Sequence, residues 1–347
     1  MDSADMSRRD FMGGVAMTSL LAPGRSTATA SLPLLKPPAL HRGDLVGLIA
    51  PASPVFAPSD IREASNAIEK LGFRVKPGKH LADKWGYLAG KDQDRAQDVM
   101  DMFLDQDVRA IVALRGGYGT PRILAHLDYA AIRHNAKILI GYSDITSLLL
   151  AIHKMAGIVT FHGAVALSTF NDYSTDYFTR TLTQAAPVGW IREAAASNPT
   201  VLSHASKTGT VSGRLVGGNM TLVCSGLGTP YEIDTRESVL FLEEVGEEPY
   251  AVDRMLTQLT QAGKFAACKA VLFDRCAKCQ PAEYKPAFYN TMSVEEVIID
   301  RLGELEIPVL YGLSIGHVAD KPVLPLGVQV ELDLEAKRFQ LLEGAVS

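Results

Sequence analysis

The stretch Ile138-Leu139-Ile140-Gly141-Tyr142-Ser143-Asp144-Ile145-Thr146-Ser147-Leu148 decides how the chain is read. Three apolar residues and a glycine read as the end of a buried parallel strand, and the residues from Asp144 onward read as a helix. A strand that ends in Gly-x-Ser and passes at once into a helix lifts the serine hydroxyl clear of the sheet. The first amide hydrogens of the helix then face the same space, so a nucleophile and half an oxyanion hole are built together. Gly141 and Ser143 fit this elbow, whereas Ile145 stands where the pattern has a second glycine. Serine at a helix start is most often only a cap, so a base and an orienting carboxylate must be found elsewhere in the chain.

Working outward, apolar runs at 45–50, 73–76, 108–114 and 158–161 read as further strands. Helices fall between them at 59–71, with Ser59 as cap, at 91–105 and at 144–155. This alternation over 44–186 predicts an α/β domain built on a parallel sheet, entered through a proline-rich linker at 31–43. At 187–209 the composition shifts to Ala, Ser, Asn and Thr, as expected of a domain connection. Beyond it, strands at 238–242, 270–273, 308–310 and 328–334 and helices at 251–262 and 294–305 predict a smaller, mixed α/β domain over 210–347.

The 347 residues are 47% hydrophobic and 21% charged, which fits an ordinary soluble two-domain protein. A net charge of -5 without a basic face excludes a nucleic-acid binder. The N-terminus differs from the rest: Arg8-Arg9, a short apolar run from Gly13 to Ala22, and Ala28-Thr29-Ala30. These regions follow the order of a twin-arginine signal peptide at 1–30, which predicts a partner in the twin-arginine translocase and a periplasmic location. The protein would be cytoplasmic were the signal not functional. Cys276-Ala-Lys-Cys279 lacks the two further ligands of a structural zinc site, and in an oxidising compartment the pair is a candidate disulfide. No metal or cofactor is expected.

Of eight histidines, His162 and His317 each follow a strand, where a loop-borne base belongs; Gly312 and Gly316 let the chain turn before His317 and favour it. Glu243 and Glu244 stop the apolar strand at 238–242 and point to opposite sides, so only one of them can serve a given site. Gly116 and Gly117 offer backbone amides that no side chain blocks.

Five separated motifs carry a resemblance: Arg115-Gly-Gly-Tyr-Gly119, Gly141-Tyr-Ser-Asp144, Gly217-Gly-Asn219, Leu242-Glu-Glu-Val-Gly-Glu247 followed by Arg254, and Gly316-His317. In this order they resemble the L,D-carboxypeptidase serine peptidases, which include muramoyltetrapeptide carboxypeptidases and microcin C immunity proteins. The resemblance implies Ser143 as nucleophile, Glu243 as the carboxylate and His317 as base. It also implies oxyanion amides at Gly117 and Asp144, and a substrate site lined by Gly116, Asn219 and Glu247. It further implies a flavodoxin-like N-terminal domain, an active site between the two domains, and a homodimer, since members are often dimers. The implied reaction removes the terminal D-alanine from a peptidoglycan tetrapeptide through an acyl-enzyme. Members acting on microcin-type adenylates look to carry lysine where this chain has Glu247, and a carboxylate there suits an ammonium-bearing peptide better than an anionic nucleotide. The alternatives are a peptide-adenylate amidase and an exported α/β esterase.

Overall fold

Four of the five residues of β1 (Leu45–Ile49) are buried, the burial pattern of a central parallel strand. After it come α1 (Pro58–Lys70), β2 (Arg74–Pro77), α2 (Asp92–Leu104), β3 (Val108–Ala113), α3 (Tyr129–His134), β4 (Ile138–Gly141), α4 (Thr146–Ala156), β5 (Phe161–His162) and α5 (Asp172–Thr183). The computed structural model describes residues 32–195, 197–202 and 208–347; the expected signal at 1–30 lies outside the described residues. Parallel pairing sets the order β2-β1-β3-β4-β5. This is the flavodoxin-like, doubly wound order, in which ligands generally bind at the carboxyl ends of the strands.

The second sheet is assembled from β6 (Gly189–Trp190), β7 (Thr200–Val201), β8 (Thr210–Asn219), β9 (Ser238–Glu243), β10 (Ala270–Asp274), β11 (Val309–Leu313), β13 (Gln329–Asp333) and β14 (Arg338–Leu341). α6 (Met220–Ser225), α7 (Pro249–Gln261), α8 (Lys264–Ala267) and α9 (Val294–Leu302) are interspersed with these strands. β8 to β11 run parallel and the outer pairs antiparallel, so the sheet is mixed. The stretch expected only to connect the halves supplies β6 and β7, which extend both edges of this sheet to eight strands against six. β12 (Leu324–Pro325) returns to the first sheet and pairs antiparallel with β5, Leu324 opposite His162. The chain just past His317 is thereby fastened to the serine-bearing sheet, with β5 between it and β4.

Local differences from the expected elements have visible causes. α1 starts at Pro58 with Ala57 as cap, because the Asp60 carboxylate accepts from the amides of Phe56 and Ala57, both at 3.0 Å; Ser59 is inside the helix. α4 is preceded by a 3-10 turn at Ser143–Ile145. Only Phe161 and His162 form β5, since Ile158 bridges to Leu35 instead. α5, α8 and β14 were not anticipated; α5 is opened by the Asn171 side chain, which accepts from the Ser174 amide.

Candidate active site

Ser143 has a φ of 64°, in the left-handed region that costs a side-chain-bearing residue about 1–3 kcal/mol and therefore needs support. Two contacts supply it. The Asp144 carboxylate accepts from the Thr120 amide at 2.8 Å, and the Thr120 hydroxyl donates to the Asp144 carbonyl, which ties the elbow to the glycine-rich loop after β3. Burial raises the pKa of Asp144, against the opposing Thr120 N–H bond. Gly141 leaves room for Ile145, whose Cγ2 would lie 2.7 Å from a Cβ at that position. A residue expected to weaken the elbow pattern is instead packed into it, with Ile145 fully buried.

The glycine-rich loop passes directly over the serine. A Cβ on Gly116 would lie 2.8 Å from Ser143 Cβ and 2.9 Å from its Oγ. Gly117 adopts a φ of 123°, and the amide after it donates to Ser53 Oγ at 3.1 Å. Among the described residues the amides of Gly117 and Asp144 have no backbone acceptor. Two unengaged N–H groups beside a serine hydroxyl are what an oxyanion requires.

His317 lies four residues beyond β11, and its Nδ1 is 2.7 Å from Glu243 Oε2 at the end of β9. A carboxylate only accepts, so Nδ1 carries the proton and Nε2 keeps its lone pair. Glu243 is fully buried. Burial raises its pKa, but the hydrogen bond from His317 and the electrostatic attraction of the neighbouring imidazoles outweigh that and hold it below the usual value. Among the described residues no hydrogen bond joins Ser143 Oγ to His317; the ring of Tyr142, beside the serine, is 4.8 Å from the imidazole. Gly316 allows this approach, since a Cβ there would lie 2.5 Å from Glu243 Oε2 and 2.6 Å from Asp274 Oδ2.

The two glutamates separate as strand alternation requires. Glu244, also buried, turns to the opposite side and accepts from Asn219 Nδ2 (3.1 Å), the Thr221 amide and hydroxyl (both 2.8 Å) and the Val245 amide (2.9 Å). Neither is a solvated strand end. Asn219 is only 3% exposed; its carbonyl oxygen accepts from the Leu222 amide at 3.3 Å and caps α6. Glu247 is half-buried near the end of the loop after β9, two residues before α7.

His162, the rival base, has another task. Its Nε2 donates to the Ile315 carbonyl at 3.0 Å, while Asp274 Oδ1 accepts from the Ile315 amide at 3.4 Å. The peptide two residues before His317 is gripped from both sheets. Burial pushes the His162 pKa down to about 4 and that of Asp274 up to about 7, the latter helped by the neighbouring Glu243 charge. Asp274 was not singled out from sequence, although it occupies the same strand-end position as Glu243. Cys276 and Cys279 are free thiols, both buried. The ligating atoms of His80, Asp83 and Asp94 lie within 4.8 Å of one another. The imidazole there sits between carboxylates, 2.9 Å from Asp83 and 4.0 Å from Asp94, the arrangement of a histidine hydrogen-bonded to a surface carboxylate.

A serine on a strained strand-to-helix turn, with a histidine–glutamate pair brought to it by a second sheet, is the constellation of a serine hydrolase. Residues 46–163 match the LD-carboxypeptidase N-terminal domain and residues 212–332 the LD-carboxypeptidase C-terminal domain. The chain belongs to the LD-carboxypeptidase family and is a serine carboxypeptidase. It is 41% identical over 314 residues to a probable murein peptide carboxypeptidase of Bacillus subtilis, covering 90% of this chain and 95% of the relative. Its fold matches a muramoyltetrapeptide carboxypeptidase of Oxalobacter formigenes with a TM-score of 0.72 at 30% identity, over 86% of this chain and 97% of that one. The apo wild-type microcin C7 self-immunity protein superimposes with a TM-score of 0.80 at 25% identity, over 90% of this chain and 100% of that one. The Escherichia coli sequence of that name is 27% identical, over 91% of this chain and 98% of its own.

Proposed function

We propose that the protein removes the C-terminal D-alanine from peptidoglycan tetrapeptide, with Ser143 as nucleophile, His317 as general base and Glu243 as its orienting carboxylate. The 2.7 Å bond between His317 Nδ1 and Glu243 carries this reading, because it leaves Nε2 able to accept the serine proton. Ser143 Oγ attacks the carbonyl of the diaminopimelate residue, and the amides of Gly117 and Asp144 stabilise the tetrahedral oxyanion, each contributing about 3 kcal/mol. His317 then protonates the leaving amine of D-alanine, and water hydrolyses the acyl-enzyme by the reverse proton path.

The absence of a side chain at Gly116 keeps the space above Ser143 open to the acyl group. Glu247, on the loop that follows the catalytic glutamate, is placed in sequence to meet the free ammonium of diaminopimelate; a nucleotide phosphate would be repelled there. Asn219 supports the site by holding Glu244 and the first turn of α6.

Incubating the protein with tri-, tetra- and pentapeptide fragments and reading the released masses tests the substrate. We expect alanine from the tetrapeptide alone. Cleavage of a peptidyl adenylate with the tetrapeptide left intact would instead favour the amidase reading.

A further inference from the structure

Lys321 is 6% exposed, yet among the described residues its ammonium has neither a carboxylate partner nor a hydrogen-bond acceptor. Its backbone amide bonds to Ser174 Oγ, and its Nζ rests 4.0 Å from the centroid of the Tyr142 ring. The nearest acidic neighbour in the chain, Asp320, is engaged by the Asn171 amide at 2.6 Å. A lysine buried to this degree is normally paired, because removing an ammonium from water is costly and a ring face compensates only part of that cost. An unpaired one leaves its ammonium available to an anion that arrives from outside.

The same Tyr142 ring locates that anion. One neighbour of the ring is the His317 imidazole, at 4.8 Å, and the next residue in the chain is Ser143. In the reaction proposed above, His317 gives its proton to the nitrogen of the leaving residue, and the carboxylate of that residue lies only two bonds from this nitrogen. A group that recognises the carboxylate must therefore sit on the histidine side of the serine, within a few ångströms of the imidazole. Lys321 follows His317 by four residues in the same loop, and the β12–β5 pairing that comes next holds this loop against the serine-bearing sheet. The other charged or titratable groups around this place have tasks of their own: Glu243 holds His317, and His162 and Asp274 grip the Ile315 peptide.

We propose that Lys321 binds the C-terminal carboxylate of the substrate and so makes the enzyme an exopeptidase. The assignment rests on the carboxypeptidase reading of the site. It also explains why this cation is left without a protein carboxylate, which would compete with the substrate for it.

The experiment pairs a protein charge with a substrate charge. Wild-type protein and the Lys321→Met and Lys321→Arg variants are each given the tetrapeptide acid and the same tetrapeptide ending in a carboxamide. Methionine keeps the length and apolar stem of lysine and removes a buried charge, so the fold is retained, and a thermal melt checks this. We expect wild type to prefer the acid by about a hundredfold in kcat/KM. Lys321→Met should lose that preference by slowing on the acid alone, and Lys321→Arg should recover part of it. Undiminished preference for the acid in a folded Lys321→Met variant overturns the proposal, as does equal loss on both substrates. If wild type releases nothing from either peptide while Ser143 still reacts with a fluorophosphonate, the tetrapeptide reading fails, and the Lys321 proposal falls with it.

Discussion

At the residue scale the site depends on side chains whose ionisation is set by burial. Asp274 has no exposed surface and its Oδ2 has no hydrogen-bond partner among the described residues. Burial, then the charge of Glu243, lifts its pKa from 3.8 to about 7. A carboxyl raised on folding contributes stability in full below its unfolded pKa, and that contribution is lost as pH rises through the folded value. For Asp274 the loss runs from about pH 4 to pH 7. His162 has the opposite slope: burial lowers it from 6.5 to about 4, so its contribution is present above pH 6.5 and is lost as pH falls. An Asp274→Asn protein removes the first effect and keeps the second. Its melting temperature relative to wild type should therefore climb between pH 4 and pH 8, and a difference that stays flat across this range would show that Asp274 does not titrate there.

At the element scale the loop from β11 to β12 brings the imidazole to the carboxylate. It is fixed at Ile315 by His162 and Asp274, at Gly316 by close packing, and at Leu324 by pairing with β5. Gly316→Ala puts a Cβ against both Glu243 Oε2 and Asp274 Oδ2, so the loop must shift by a substantial fraction of an ångström. Displacement of a catalytic group on this scale costs up to about a hundredfold in rate. We expect kcat to fall by about that factor with KM little changed, and unaltered kcat would mean that the loop position is not critical.

The same loop shows where sequence reading stops. Ser143 and the pair Glu243 and Glu244 stood out because they end apolar runs, which are visible in one dimension, and His317 because glycines precede it after a strand; the choice of Glu243 over Glu244 came only from the family resemblance. The roles of Glu244, His162, Asp274 and Lys321 were not legible, because they depend on which strand lies beside which. Glu244 differs from Glu243 only by the side of β9 that it faces, and Lys321 matters only because Tyr142 lies under its ammonium. The expected cap at Ser59 failed for a local reason, since Asp60 binds the amides of Phe56 and Ala57 and so starts the helix at Pro58, which leaves Ser59 inside it.

At the scale of the whole molecule, residues 33–347 form one compact unit in which each half completes the other. The parallel pairing of β1 to β5 followed from the alternation of elements, whereas β12 closing that sheet from the far end of the chain, and β6 and β7 extending the second, did not. Strands of two residues leave no periodic signal. The consequence is the proposed nucleophile on one sheet and a histidine–glutamate pair on the other, joined only by folding of the full chain. The most direct test is the rate of D-alanine release from tetrapeptide by a folded Ser143→Ala protein. The account predicts a fall of at least about four orders of magnitude. Release within tenfold of wild type would contradict it.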